Sequence, residues 1–99
     1  MNTPTFTDVR LVGAYHRGPE VQAMAEALLP GDEVTLEREP ENQYDPQAIK
    51  VMLREVHLGY IARQTAAFMA GYLDDGHSFT AKVTGKQGQY PLLQVGPAQ

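Results

Sequence analysis

The sequence predicts a mainly β domain with two helices, an α+β chain whose roughly six strands curl into a small OB-like antiparallel β-barrel. Three observations lead there. Short runs of alternating apolar and polar residues recur along the chain. Two other segments carry apolar residues at helical spacing, and no linker, repeat or low-complexity stretch divides the 99 residues. A sheet of short strands leaves exposed edges unless it closes on itself, and closure removes them.

The elements follow in order. Residues 1–7 are expected to be a flexible N-terminus, 8–96 a single barrel domain and 97–99 a flexible tail. "DVRLVGAY" sets Val9, Leu11, Gly13 and Tyr15 on one face and Arg10, Val12 and Ala14 on the other, which predicts a mostly buried strand ending near Tyr15. In "PEVQAMAEALLPG", Val21, Met24, Ala25 and Leu28 fall on one helical stripe, Pro19 suits the first turn and Pro30-Gly31 stops the helix. "DEVTLERE" turns Val34 and Leu36 inward and gives Glu33, Thr35, Glu37 and Glu39 a solvated face. "AIKVMLR" and "VHLGYIA" read as a hairpin. Ile61, Thr65, Phe68, Met69 and Tyr72 mark the stripe of a second helix that stops at Gly76, with Asp74 and Asp75 a solvated end. "HSFTAKVTG", "KQGQ" and "YPLLQV" read as a final hairpin. Leu36, Val51, Phe68, Met69 and Val83 are core by pattern.

Composition bounds the function. A chain of 99 residues, 42% hydrophobic, supports one core that buries about two thirds of the unfolded surface. The absence of cysteine removes disulfides and thiolate zinc sites. The opening "MNTPTFTDVR" lacks a signal-peptide pattern, and no apolar run approaches the roughly 20 residues that span a bilayer. A cytoplasmic protein without membrane partners is expected. The net charge of -4 argues against a general nucleic-acid coat, which draws its affinity from many phosphate contacts. Any nucleic-acid site must be local and rely on stacking.

Catalytic patterns are weak. Ser78 is the sole serine, and its neighbour His77 points to the opposite face of a strand, which sets a Ser-His dyad aside. His16, His57 and His77 show no metal-ligand spacing, and "GKQG" lacks the phosphate-cradling pattern. The remaining catalytic alternative is a metal-dependent nuclease that uses Glu39, Glu41 and Asp45 with Lys50 nearby. The expectation is no enzyme, no cofactor and no metal.

The stretch "REPENQYDPQAIKV", Arg38 to Val51, places Asn42, Tyr44 and Asp45 in a turn between strands. Turns need small or polar residues, so a large ring there asks for a partner. Unaided, Asp45 reads as a turn cap, Asn42 as a loop residue, and Tyr15 and Tyr60 as core rings with hydroxyls at the barrel edge. Arg63 opens the second helix, where a cation does not complement the helix dipole, which favours a phosphate partner.

Together "LVGAYHRG", "GDEVTLEREPENQYDPQAIKV" and "LGYIARQTAAFMAGYLDDG" resemble the HIRAN domain family. The signature R-x-P-x-N-x-Y-D-x-x-A-[IV]-x-V lies at Arg38 to Val51, and G-[YH]-[IVL] follows at Gly59-Tyr60-Ile61. The resemblance is to free-standing bacterial or phage members. It implies an OB-type barrel and a non-enzymatic module that captures the 3'-hydroxyl end of single-stranded DNA in repair, recombination or replication, beside a helicase, ATPase or nuclease. By the same resemblance Tyr15 and Tyr44 match aromatics that sandwich terminal bases, and Asp45 the carboxylate that accepts from the terminal hydroxyl. Asn42, Tyr60 and Arg63 match residues that meet the last nucleotides, with His16 beside Tyr15 and Tyr90 as a further aromatic. Ala14, His16 and Glu41 stand where the eukaryotic form has an arginine, a tyrosine and an asparagine, which implies weaker binding. A protein-interaction domain that keeps the fold without DNA binding is the rival reading.

Overall fold

Residues 3–98 are described by the structure, a computed structural model of the chain. Residues 1, 2 and 99, where part of the expected terminal flexibility falls, lie outside the described residues. Strand β1 (Phe6–Val12) is followed by a 3-10 turn (Ala14–Arg17) and helix α1 (Pro19–Glu26). Then come β2 (Glu33–Arg38), β3 (Ile49–Leu53), β4 (Val56–Ile61), α2 (Arg63–Asp74), β5 (Phe79–Gln87) and β6 (Tyr90–Pro97). The six strands close into a barrel in the order β1-β4-β3-β2-β5-β6, and every pairing is antiparallel.

The alternation read from the sequence becomes the barrel interior. Val9 and Leu11, Val34, Ile49 and Val51, Leu58 and Ile61, Ala81 and Val83, and Leu93 and Val95 are all buried in one cluster. Leu28, beyond the last turn of α1, joins that cluster, with Val21 and Met24 packed against it. No buried side-chain polar atom among the described residues lacks a hydrogen-bond partner.

Strand β1 is shorter than alternation suggests. It leaves the sheet at Gly13, whose φ of 83° turns the chain into the 3-10 segment and carries Tyr15 out of the barrel wall. The turn sits against β4 because Gly59 has no side chain. A β-carbon there would collide with the Val12 carbonyl oxygen and lie 3.0 Å from Leu11 Cδ2 and 3.2 Å from the Ala14 nitrogen.

Helix α2 buries Met69 of the expected stripe and half-buries Thr65 and Tyr72, but turns Phe68 outward. Ala66, Met69 and Ala70 are its buried residues, while Phe68 is 74% exposed. Small alanines let the helix approach β2 and β4 closely, so the buried side is not the side with the largest rings. Its last residue, Asp74, is exposed as expected, with a side chain 54% accessible, and also takes a partner. Arg38 Nε and Nη2 donate to the two carboxylate oxygens of Asp74 at 2.9 and 3.2 Å, and Arg38 Nη1 donates to the Ala48 carbonyl at 2.8 Å. One guanidinium therefore ties the end of β2 to the C-terminal end of α2 and to the approach to β3.

Candidate nucleic-acid interface

The loop between β2 and β3 is built on one asparagine. Asn42 Oδ1 accepts the backbone N–H groups of both Tyr44 and Asp45 at 2.9 Å, which coils the chain around the amide. The loop is closed at its base where Glu39 N donates to the Ala48 carbonyl and Ala48 N donates to the Asp45 carbonyl, each at 3.0 Å. With its backbone curled inward, the loop has nowhere to bury Tyr44, whose ring is 82% exposed. That ring has no place in the core.

Asp45 serves the turn with one oxygen and faces a cation with the other. Its Oδ1 accepts the Gln47 N–H at 3.0 Å, while Oδ2 lies 3.7 Å from Arg63 Nε at the start of α2. Its side chain is 19% exposed, so the carboxylate is half-sheltered yet still reachable. The turn cap and a ligand acceptor are compatible because a carboxylate has two oxygens with several lone pairs.

Glu39 departs most from the sequence reading. Strand β2 ends at Arg38, so alternation stops one residue too early to send Glu39 into solvent. Its carboxylate turns into the site, where Oε1 accepts from Asn42 Nδ2 at 2.7 Å and from the Tyr60 hydroxyl at 2.8 Å. Hydrogen bonds from Asn42 and Tyr60, with the charge of Lys50, hold Glu39 below its ordinary carboxylate value against the opposing effect of burial. Burial and the Glu39 carboxylate push the Tyr60 phenol up. His57 stacks edge-on to Tyr60 at 4.8 Å between ring centroids, and its ring is lowered by burial and by Arg17. Arg17 Nε in turn donates to the His57 carbonyl at 2.9 Å.

Two depressions result. Glu39, Glu41, Asn42, Gln43, Tyr44 and Tyr60 line one. The other runs between the 3-10 turn, α1 and the β5–β6 hairpin, and Tyr15 and Tyr90 line it. Gly13 lies between them, lining the second while its Cα side faces the Tyr60 ring of the first. Tyr15 is 68% exposed, not packed as its place in the alternation suggested. Arg10 lies over the Tyr90 ring, 5.6 Å from its centroid. The structure thus brings Asn42, Tyr44, Asp45, Tyr60 and Arg63 together and sets Tyr15 and Tyr90 beside them, while exposed His16 meets the Tyr15 ring edge-on and lines neither depression. The sequence suggested Arg17 as a phosphate partner and Glu39 only as a solvated residue or a nuclease ligand, so the joining role of Glu39 and the place of His57 were missed. The signal was present for Glu39, which sits next to Pro40 where the strand has to end.

Among the described residues, no group of three or more His, Asp or Glu side chains is placed to hold a metal ion. No helix among them is long and apolar enough to cross a membrane. The family model of the HIRAN domain matches residues 6–96.

The chain belongs to the HIRAN domain family.

A crystal structure of a protein from Lactobacillus plantarum matches with a TM-score of 0.76 and 34% identity over 94% of each chain. The crystal structure of the HIRAN domain of human HLTF matches with a TM-score of 0.68 and 19% identity, covering 95% of this chain and 76% of that one, and shares the fold. No curated protein matches the chain. In this HIRAN domain several fixed positions of the family signature have a structural reading. Arg38 pins β2 to α2, Asn42 coils the loop, Asp45 caps it, Ala48 and Ile49 enter the core, and Gly59 admits the 3-10 turn. The ring of Tyr44, at another fixed position, is 82% exposed and has no such structural duty.

Proposed function

We propose that this HIRAN domain is a non-enzymatic module that holds the 3'-hydroxyl end of single-stranded DNA. The observation that carries the proposal is the exposed Tyr44 ring beside a depression that the Glu39 and Glu41 carboxylates help line. A stable fold has no use for a tyrosine in that position, whereas a base can stack on it for about 1–3 kcal/mol. The likeness of Arg38–Val51 to the HIRAN signature supplies the ligand class.

The chemistry is that of recognition. Tyr44 and Tyr15 offer π-faces to the last bases, and Tyr90 with Arg10 above it extends the stacking path. Asp45 Oδ2 accepts from the terminal hydroxyl, because only an unesterified 3'-oxygen carries a proton to donate. A 3'-phosphate brings negative charge to Asp45 and Glu39 and is repelled. Arg63 and Arg17 meet the phosphates behind the terminus. A repair, recombination or replication helicase, ATPase or nuclease is the partner that such an end-binding module would serve.

Fluorescence anisotropy with short labelled oligonucleotides ending in 3'-hydroxyl or 3'-phosphate tests the reading. Preference for the hydroxyl end is expected, and equal binding of the two ends would overturn it. One observation favours the rival, a protein-interaction domain: Phe68 stands exposed on α2. In that case neither oligonucleotide binds.

A further inference from the structure

Glu39 is a carboxylate only 18% exposed, and it touches both sides of the first depression. Its Oε1 accepts from Asn42 and from Tyr60, and its Oε2 lies 4.0 Å from Lys50 Nζ. A primary amide has one donor end and one acceptor end. With Nδ2 committed to Glu39, the Asn42 oxygen faces the other way and takes the N–H groups of Tyr44 and Asp45. A phenol has a single proton. Because Tyr60 gives its proton to Glu39, its oxygen can offer a ligand lone pairs alone. The two loop N–H groups and the Tyr60 proton are therefore all engaged within the protein, and none is left for a phosphate oxygen.

We infer that Glu39 is the positioning residue of the terminus site. It orients the Asn42 amide that coils the loop, makes the Tyr60 hydroxyl an acceptor, and fixes a negative charge that admits a hydrogen-bond donor and turns away a phosphate monoester. The inference rests on the end-binding reading of the same depression and adds a second source of selectivity beside Asp45. Lys50, which also lies 3.5 Å from Glu37 Oε1, offsets part of the charge without bonding to the oxygen that Asn42 and Tyr60 share.

Two substitutions separate geometry from charge. Glu39→Gln keeps an oxygen that accepts from Asn42 and Tyr60 but removes the charge, and Glu39→Ala removes both. The first measurement needs no ligand: amide hydrogen exchange by NMR at Tyr44 and Asp45 in the free, folded protein. Exchange should stay near the parent rate in Glu39→Gln and rise about tenfold in Glu39→Ala, the loss of roughly one hydrogen bond. Unchanged exchange in a folded Glu39→Ala protein overturns the positioning role. Should Glu39→Ala not fold, loss of protection in Glu39→Gln would overturn the role, since the bonds it keeps would then not be the ones that order the loop.

The second measurement is anisotropy with short oligothymidylates ending in 3'-hydroxyl or 3'-phosphate. In Glu39→Gln the preference for the hydroxyl end should narrow by about tenfold, mainly through better binding of the phosphate end. A folded Glu39→Gln protein that keeps the parent's ratio overturns the role in selectivity. A parent that binds neither oligonucleotide overturns the end-binding reading and the selectivity with it. The exchange result still decides whether Glu39 orders the loop.

Discussion

At the residue scale, exposure separates duties that residue type alone cannot. Tyr44 and Tyr15 project into solvent, so replacing either with Ala removes no core packing. Each change should weaken oligonucleotide binding by about 1–3 kcal/mol, with little effect on base preference, because every base has a π-face. Titrations of Tyr44→Ala and Tyr15→Ala check this, and folded variants that bind like the parent would place the site elsewhere. Asp45→Asn keeps an oxygen for the Gln47 N–H but loses the charge that the proposed terminus would meet. Its preference for 3'-hydroxyl over 3'-phosphate should shrink by more than its affinity for the hydroxyl end, and an unchanged preference would leave Asp45 as a turn residue alone. Two titrating groups also tie stability to pH. His57 is lowered from its ordinary 6.5 by burial and by Arg17, so as pH falls through 6.5 the unfolded chain takes a proton that the folded one refuses. Glu39, lowered from 4.5 chiefly by its Asn42 bond, contributes stability that is present above that value and is lost as pH falls through the folded one. Both effects have the same sign, with the unfolded state binding more protons. Denaturation midpoints should therefore fall below pH 6.5 and fall again below 4.5. His57→Gln should remove the upper limb and Glu39→Gln the lower.

At the scale of elements, close approach of backbones controls what the loops can do. Gly59 brings β4 against the end of β1 and lets the 3-10 turn carry Tyr15 outward. Gly59→Ala places a methyl group on the Val12 carbonyl, a backbone atom with no rotamer to escape into. It should cost about 1–3 kcal/mol of stability and weaken oligonucleotide binding through the displaced turn, as denaturant melts and titrations together would show. Helix α2 gives a sharper contrast. Met69 is fully buried and Phe68 exposed, so Met69→Ala should cost about 2–5 kcal/mol and Phe68→Ala less than about 0.5 kcal/mol. A large loss at Phe68 would mean that the helix packs with the face its sequence suggested. The strands were legible in the sequence because alternation is a local property with period two. The buried stripe of α2 was legible at Met69 but not at Ala66, Ala70 and Phe68, because alanines allow close packing and a hydrophobicity pattern gives more weight to large rings.

At the scale of the molecule, charge limits how the site can bind. The net charge is -4, and Arg38 is committed to Asp74 and to the Ala48 carbonyl. Arg17 and Arg63 are then the arginines near the depressions that the proposed end-binding would use for phosphates. Affinity for single-stranded DNA should therefore change only shallowly with salt, by roughly one or two released counterions. A slope corresponding to six or more phosphates would contradict a site based on stacking. The sequence by itself determined the antiparallel barrel, the two helices, the core positions on the strands and the loop that carries Asn42, Tyr44 and Asp45. Each of these follows from local periodicity or from turn chemistry. Only the tertiary structure decided that Tyr15 leaves the wall, that Arg38 is a brace and that Glu39 joins Asn42 to Tyr60. Those outcomes depend on where a strand stops and on which atoms, far apart in the chain, arrive within a hydrogen bond of one another. Alternation carries no information about either.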